Sequence, residues 1–378
     1  MIVKRRSVSD IYSVQQNYKR FDQRYNMTRQ SLWNPSFVEL RKEQQSNLQR
    51  LLGQDMRGYA LLDSAFNRGA TANLRNARFE INRPNHLGNA WQPLGEPISK
   101  RHWATSPSEA SRVVEKVAGL YGADEVGFCE LDRRWVYSHY YDEESKQSFP
   151  IVFSDEPRYE SYSEPIQLED GTQVIPKEMA HVVVLLFEMD DEGISTAPTL
   201  TQMATTNVAY SKISYTTVMV AEFLRGLGYN AIPSANCTAL SIPLAIEAGL
   251  GQLGRHAKLI NPKYGPRCRI SKVITDLPLK HGEPIDFGVT EFCSTCKRCA
   301  EACPAQAIPY GETSLAPVNE CNSGGFLAWH LDHKKCYRYW SKVGTNCGIC
   351  VAVCPYNVGP GRYHLSGTES FWKAKESQ

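Results

Sequence analysis

The chain has 378 residues, 42% of them hydrophobic and 22% charged, with a formal net charge of +2. That length accommodates two or three packed domains. The balanced charge gives no pull toward nucleic acid or an anionic membrane surface, so no nucleic-acid partner is expected. The longest apolar stretch, Val182 to Phe187, falls far short of the roughly 20 residues of a spanning helix and reads as a buried strand.

Arg5-Arg6 near the N-terminus faintly suggests a twin-arginine export signal, but no apolar region follows it. The expectation is a cytoplasmic protein, or one associated with the outer face of a membrane if an export signal has been removed. Residues 1–105 are polar, rich in Arg, Asn and Gln, with scattered aromatics such as Phe37 and Trp91. They read as a segment of helices and irregular loops wrapped over something else.

From residue 106 the pattern turns to alternating helices and strands. Ser106-Pro107-Ser108-Glu109 is a helix start, Ala110 to Tyr121 has helical spacing, and Gly122 ends it. Strands are expected over Glu125–Cys129, Ala180–Glu188, Ala231–Pro233 and Ile270–Asp276, and helices over Asn207–Leu227 and Ile242–Ala248. This succession suits an α+β core around a central sheet, spanning 106–285. A break rich in Pro, Gly and charge at Lys280 to Asp286 precedes a cysteine domain, 286–360, and residues 361–378 read as a surface tail.

Of the twelve cysteines, only Cys129, Cys237 and Cys268 precede residue 290. Cys293-x2-Cys296-x2-Cys299-x3-Cys303-Pro304 is the bacterial ferredoxin run. Its first three thiolates bind one [4Fe–4S] cluster and its fourth ligates the other. A zinc knuckle would instead show paired C-x2-C units. A second set, Cys336-x10-Cys347-x2-Cys350-x3-Cys354-Pro355, has its first ligand displaced upstream. One cluster is therefore assigned to Cys293, Cys296, Cys299 and Cys354, the other to Cys303, Cys336, Cys347 and Cys350. Cys321 competes with Cys336 but lies in an Asn-Ser-Gly-Gly loop further from the motif, so it reads as a free thiol. Two such clusters make an electron wire, which needs a terminal acceptor in residues 106–285.

Several blocks resemble one family, the corrinoid-dependent reductive dehalogenases. They are Tyr210, Gly228 through Pro233, Gly249-Leu250-Gly251-Gln252, Pro262 through Arg269 and Lys272 through Asp276. In the cysteine domain, Cys336-Tyr337-Arg338-Tyr339-Trp340 and Cys354-Pro355-Tyr356-Asn357 continue the likeness. It covers roughly residues 100–360. The resemblance implies a nitroreductase-like core holding a base-off cobamide beside the first cluster, followed by the bacterial ferredoxin-like domain. It implies reductive replacement of halogen by hydrogen in a small organohalide, using Co(I) cobamide fed by the clusters and a tyrosine proton donor. The absence of any D-x-H pair agrees with base-off binding. An external low-potential electron donor, or a membrane anchor or quinol-linked partner, is implied as well. A homodimer is compatible with the sequence, which leaves oligomeric state open.

Carried onto this chain, the resemblance makes Tyr210 the proton donor, Arg269 the cation beside it, and Asn236 a polar neighbour in the same pocket. Without it, Tyr210 would read as a half-buried helix residue, Arg269 as a salt-bridge residue and Asn236 as a turn residue or cap. Tyr215 points to a different helix face. A lone histidine such as His256 is more often structural than a cobalt ligand. Leu185, Leu186, Glu188, Thr206 and Trp340 are candidates for a largely apolar substrate pocket, with Phe37 or Trp91 beside them. Competing expectations are an epoxyqueuosine reductase-like tRNA-modifying enzyme, a non-catalytic electron-transfer iron–sulfur protein, and a flavin-dependent reductase on the same fold.

Overall fold

The computed structural model describes residues 3–4, 7–54, 56–71 and 102–357. Trp91 and residues 361–378 lie outside the described residues. The N-terminal part contains β1 (Val3–Lys4), α1 (Val8–Tyr12), α2 (Met27–Trp33), α3 (Pro35–Gly53) and α4 (Leu61–Ala70). Asn26 and Asn34 start α2 and α3, their side chains accepting from the N–H groups of Thr28 and Ser36. The segment builds no core of its own. Val8 and Tyr12 join the main hydrophobic cluster, Phe37 packs with Tyr337, and Leu51 and Tyr59 pack with Leu200.

α5 (Pro107–Leu120) starts at Ser106, whose hydroxyl accepts from Glu109 N–H, and buries Ala110, Val114 and Ala118 along one stripe. The chain turns at Gly122, where φ is +107°, and enters β2 (Glu125–Glu130). Next come β3 (His139–Tyr141), β4 (Ser148–Phe153), β5 (Ile166–Gln167), β6 (Gln173–Ile175), β7 (His181–Glu188), α6 (Asp191–Ser195) and α7 (Leu200–Gly226). They are followed by β8 (Ala231–Ser234), α8 (Ser241–Glu247), β9 (Gln252–Leu253), β10 (Leu259–Ile260) and β11 (Cys268–Thr275). The central sheet has the order β2-β7-β11-β8, every neighbour antiparallel. β7 is buried on both faces, hence its unbroken apolar sequence. Pro233 is accommodated because β8 is an edge strand paired with β11 alone.

Two features depart from the expectations. α7 begins at Leu200 rather than Asn207. Thr199 caps it, and Thr205 and Thr206 are buried within it, the Thr205 hydroxyl donating back to the Thr201 carbonyl at 2.9 Å. Packing thus overrides the modest helix propensity of a threonine-rich stretch. A second four-stranded sheet, β3-β4-β6-β5, was not expected. Its strands are two to six residues long, too short for a clear two-residue alternation.

The C-terminal part holds β12 (Ile285–Asp286), α9 (Val289–Thr295), α10 (Arg298–Glu301), α11 (His333–Val343) and α12 (Ile349–Ala352). β12 pairs with β1, so the first and last parts of the described chain share an edge. Arg267 joins the sheet to the C-terminal part. Its buried guanidinium pairs with Glu188 at 3.1 Å and Asp191 at 3.2 Å, and donates to the carbonyls of Met189 at 2.6 Å and Asn357 at 3.3 Å. At Gly265, with φ +57°, a Cβ would stand 2.1 Å from the Tyr356 carbonyl oxygen, so the two backbones meet where only glycine fits.

Candidate active site and electron-transfer centre

The short helices of the C-terminal part aim eight cysteines into two neighbourhoods. Cys354 is influenced by Cys293, Cys299 and Cys296, and Cys293 by Cys296. Cys347 is influenced by Cys350, Cys336 and Cys303, and Cys336 by Cys350 and Cys303. One coupling, Cys299 to Cys350, crosses between the sets and places them side by side. Burial pushes the Cys293 thiol up to about 11 and those of Cys299, Cys336 and Cys347 up to about 12. Iron must displace those protons on binding. Among the described residues no three His, Cys, Asp or Glu side chains converge as they would on a single ion. A cubane takes one thiolate at each iron, which spreads its four ligands.

Cys321 stands apart. Its sulfur accepts from Gln30 Nε2 at 3.0 Å and lies 3.9 Å from Met27 Sδ, and its charged neighbours are Glu320, Lys334 and Asp332. Trp340, by contrast, hydrogen-bonds Cys336, and the Lys258 cation counters the effect of burial on Cys336 and Cys350.

Tyr210, Asn236 and Arg269, far apart in sequence, meet at one place. Tyr210 projects from α7, Asn236 from the loop after β8, and Arg269 from the start of β11. Asn236 Nδ2 donates to the Tyr210 hydroxyl at 3.2 Å. The Arg269 guanidinium lies over the Tyr210 ring, 5.2 Å from its centroid. The cation therefore meets the ring face, a cation–π contact that fixes the ring beside the guanidinium. Arg269 Nε is buried without a hydrogen-bond partner.

The loop carrying Asn236 is held from several sides. Lys272, fully buried on β11, donates to the Ala235 carbonyl and, at 2.9 Å, to Ser241 Oγ. Burial pushes the Lys272 ammonium down to about 8. Thr238 takes φ +62°, a strained conformation for a β-branched residue, and its carbonyl accepts from Tyr137 N–H at 2.8 Å. Sequence reasoning missed Lys272 as a support. The available signal was a lysine within the apolar run of a central strand.

Tyr215 packs instead near Gly122, at the end of α5. His256 is fully buried, its Nδ1 accepting from Lys258 N–H at 3.2 Å. That tautomer carries its proton on Nε2, which cannot then coordinate a metal.

The pocket candidates fall in different surroundings. Leu185 and Leu186 are both 0% exposed, and adjacent positions on a strand face opposite sides of its sheet. They belong to the main core and cannot line one cavity together. Glu188 is engaged by Arg267. Thr206, one helical turn before Tyr210, is buried and bonded to Gln202 at 3.1 Å. Trp340 packs on Tyr337 beside Phe37, which joins the N-terminal segment to the second cysteine set.

Residues 86–279 match the reductive dehalogenase subunit family, and residues 292–357 match the 4Fe-4S double cluster binding domain. The chain is 40% identical over 280 residues to the tetrachloroethene reductive dehalogenase of Sulfurospirillum multivorans, covering 71% of this chain and 54% of that protein. It thus spans about half the length of the curated relatives it matches. The solved catabolic reductive dehalogenase NpRdhA superposes with a TM-score of 0.66 at 21% identity, covering 98% of this chain and 46% of that one. A second solved reductive dehalogenase, described as suggesting a mechanism for B12-dependent dehalogenation, gives 0.57 at 24% identity over 78% of this chain and 38% of that one.

Proposed function

Since this chain belongs to the reductive dehalogenase family, we propose that it replaces a carbon-bound halogen of a small organohalide by hydrogen. The convergence of Tyr210, Asn236 and Arg269 carries this reading. The reaction consumes two electrons and a proton: the carbon–halogen bond breaks, halide leaves, and a carbon–hydrogen bond forms.

The electrons enter from an external low-potential donor, or from a quinol-linked membrane partner, through the two [4Fe–4S] clusters. Cys293, Cys296, Cys299 and Cys354 hold one cluster, and Cys303, Cys336, Cys347 and Cys350 the other. A cobamide bound in the core would be the terminal acceptor. One donor at the site fits it: Arg269 Nε, beside the Tyr210 ring, is buried without an acceptor in the protein, and a cobamide is rich in carboxamide and phosphate oxygens. When bound, the cobamide supplies a strongly reducing cobalt centre next to the substrate.

The chain's own residues then manage the proton. A tyrosine hydroxyl, with an ordinary pKa of about 10, is a weak acid. Arg269 over the ring stabilises the charge left after donation, and it remains a cation throughout. Asn236 fixes the hydroxyl's direction. The Tyr210 hydroxyl donates to the carbon that loses its halogen.

Anaerobic turnover of tetrachloroethene and trichloroethene with a chemical reductant tests this. Tyr210→Phe should lower the rate by about 10²–10⁴-fold while retaining iron and corrinoid. Full activity in that variant would remove Tyr210 from the mechanism.

A further inference from the structure

Gln202 lies in the first turn of α7, 2% exposed. Its amide rests against the backbone of Gly348, between Cys347 and Cys350. A Cβ on Gly348 would stand 2.6 Å from both Gln202 Cδ and Nε2, and 3.0 Å from Oε1. Gly348 has φ +68°, so conformation and contact both demand glycine there.

The hydrogen bonds of this amide do not balance as drawn. Nε2 donates to Thr206 Oγ1 at 3.1 Å, while Oε1 is buried with no donor. The Thr206 hydroxyl has the sulfur of Met189, at 3.7 Å, as its acceptor. Rotating the amide by half a turn, which exchanges two groups of nearly equal size, satisfies the oxygen and leaves the N–H groups as the unpartnered side of the amide. The Thr206 hydroxyl then donates to Oε1. Nε2 takes the former place of Oε1, a buried position that no donor of the protein fills. A carbonyl oxygen facing an anionic cluster would be repelled, whereas an N–H would be attracted.

We infer that Gln202, oriented by Thr206, donates an amide N–H to a sulfur of the cluster held by Cys303, Cys336, Cys347 and Cys350, and thereby raises its reduction potential. This rests on the two-cluster reading above. Such a bond is stronger to the reduced cluster, which carries one more negative charge, so it favours reduction. The helix that bears the proton donor thus also sets the potential of the neighbouring cluster.

The test is an EPR-monitored redox titration of the anaerobically reconstituted full chain. Iron content of the unsubstituted protein comes first: less than two clusters would overturn the cluster reading, and this inference with it. Gln202→Met, which fills the space without a donor, should keep its iron and shift one cluster to lower potential while the other stays in place. Gln202→Glu should shift the same cluster further. Thr206→Val, which leaves Gln202 present but releases its orientation, should give a smaller shift of the same sign. No shift, an equal shift of both clusters, or iron loss in the Met and Glu variants alike would overturn the assignment.

Discussion

Tyr210 owes its place to residues that never touch substrate. Its partner Asn236 is the exposed member of an otherwise buried loop, two residues before the strained Thr238, and its direction depends on how that loop is held. Lys272 closes the loop from beneath by donating to the Ala235 carbonyl and to Ser241. Lys272→Met should therefore leave both clusters loaded but cost up to about 10²-fold in turnover, the scale of a misplaced catalytic group. Steady-state kinetics beside iron analysis checks it, and unchanged turnover would free Asn236 from this support. The three site residues were legible because their blocks resemble a family. Lys272 was not, since a lysine's burial depends on which carbonyls surround its tip in three dimensions.

At the scale of elements, Arg267 joins the sheet to the cluster segment. Arg267 bridges β7, α6 and the last turn, and removing one partner from such a buried network is expensive. Arg267→Met should destabilise the fold by about 1–3 kcal/mol, measured by urea unfolding, because it leaves the buried Met189 and Asn357 carbonyls without their donor. The β9–β10 hairpin adds a pH dependence. Burial of His256, with Lys258 nearby, lowers its pKa from 6.5 to about 3. Its folded-state value lies below its unfolded one, so its contribution is complete above pH 6.5 and is lost as pH falls toward about 3. The unfolding midpoint should drop across that window, and less steeply in His256→Asn; parallel slopes would contradict the assignment. Sequence periodicity located β2, β7, β8, β11 and α5 within a few residues. It missed the first two turns of α7 and the whole β3-β4-β6-β5 sheet. There, threonine propensity and short strands conceal what tertiary packing decides.

For the whole molecule, the proposed function makes the arrangement an electron path ending at a proton donor. The N-terminal segment spends its apolar residues on the main core and on α11, so it closes over both functional parts and builds no core of its own. The cysteine grouping is proposed from spacing, because cubane ligation uses short turns such as C-x2-C-x2-C. The pocket was not legible in the sequence, because alternation on β7 puts Leu185 and Leu186 on opposite faces and packing commits both to the core. Cys336→Ser should lose one cluster's iron, whereas Cys321→Ser, whose sulfur faces Gln30 and Met27, should lose none.

The account stands most directly on metal content. Protein purified anaerobically and reconstituted with a cobamide should hold about eight irons, four in each of two cubanes, and one cobalt per chain. Eight irons without cobalt, or with a bound flavin in its place, would contradict the proposed dehalogenase and leave an iron–sulfur domain attached to different chemistry.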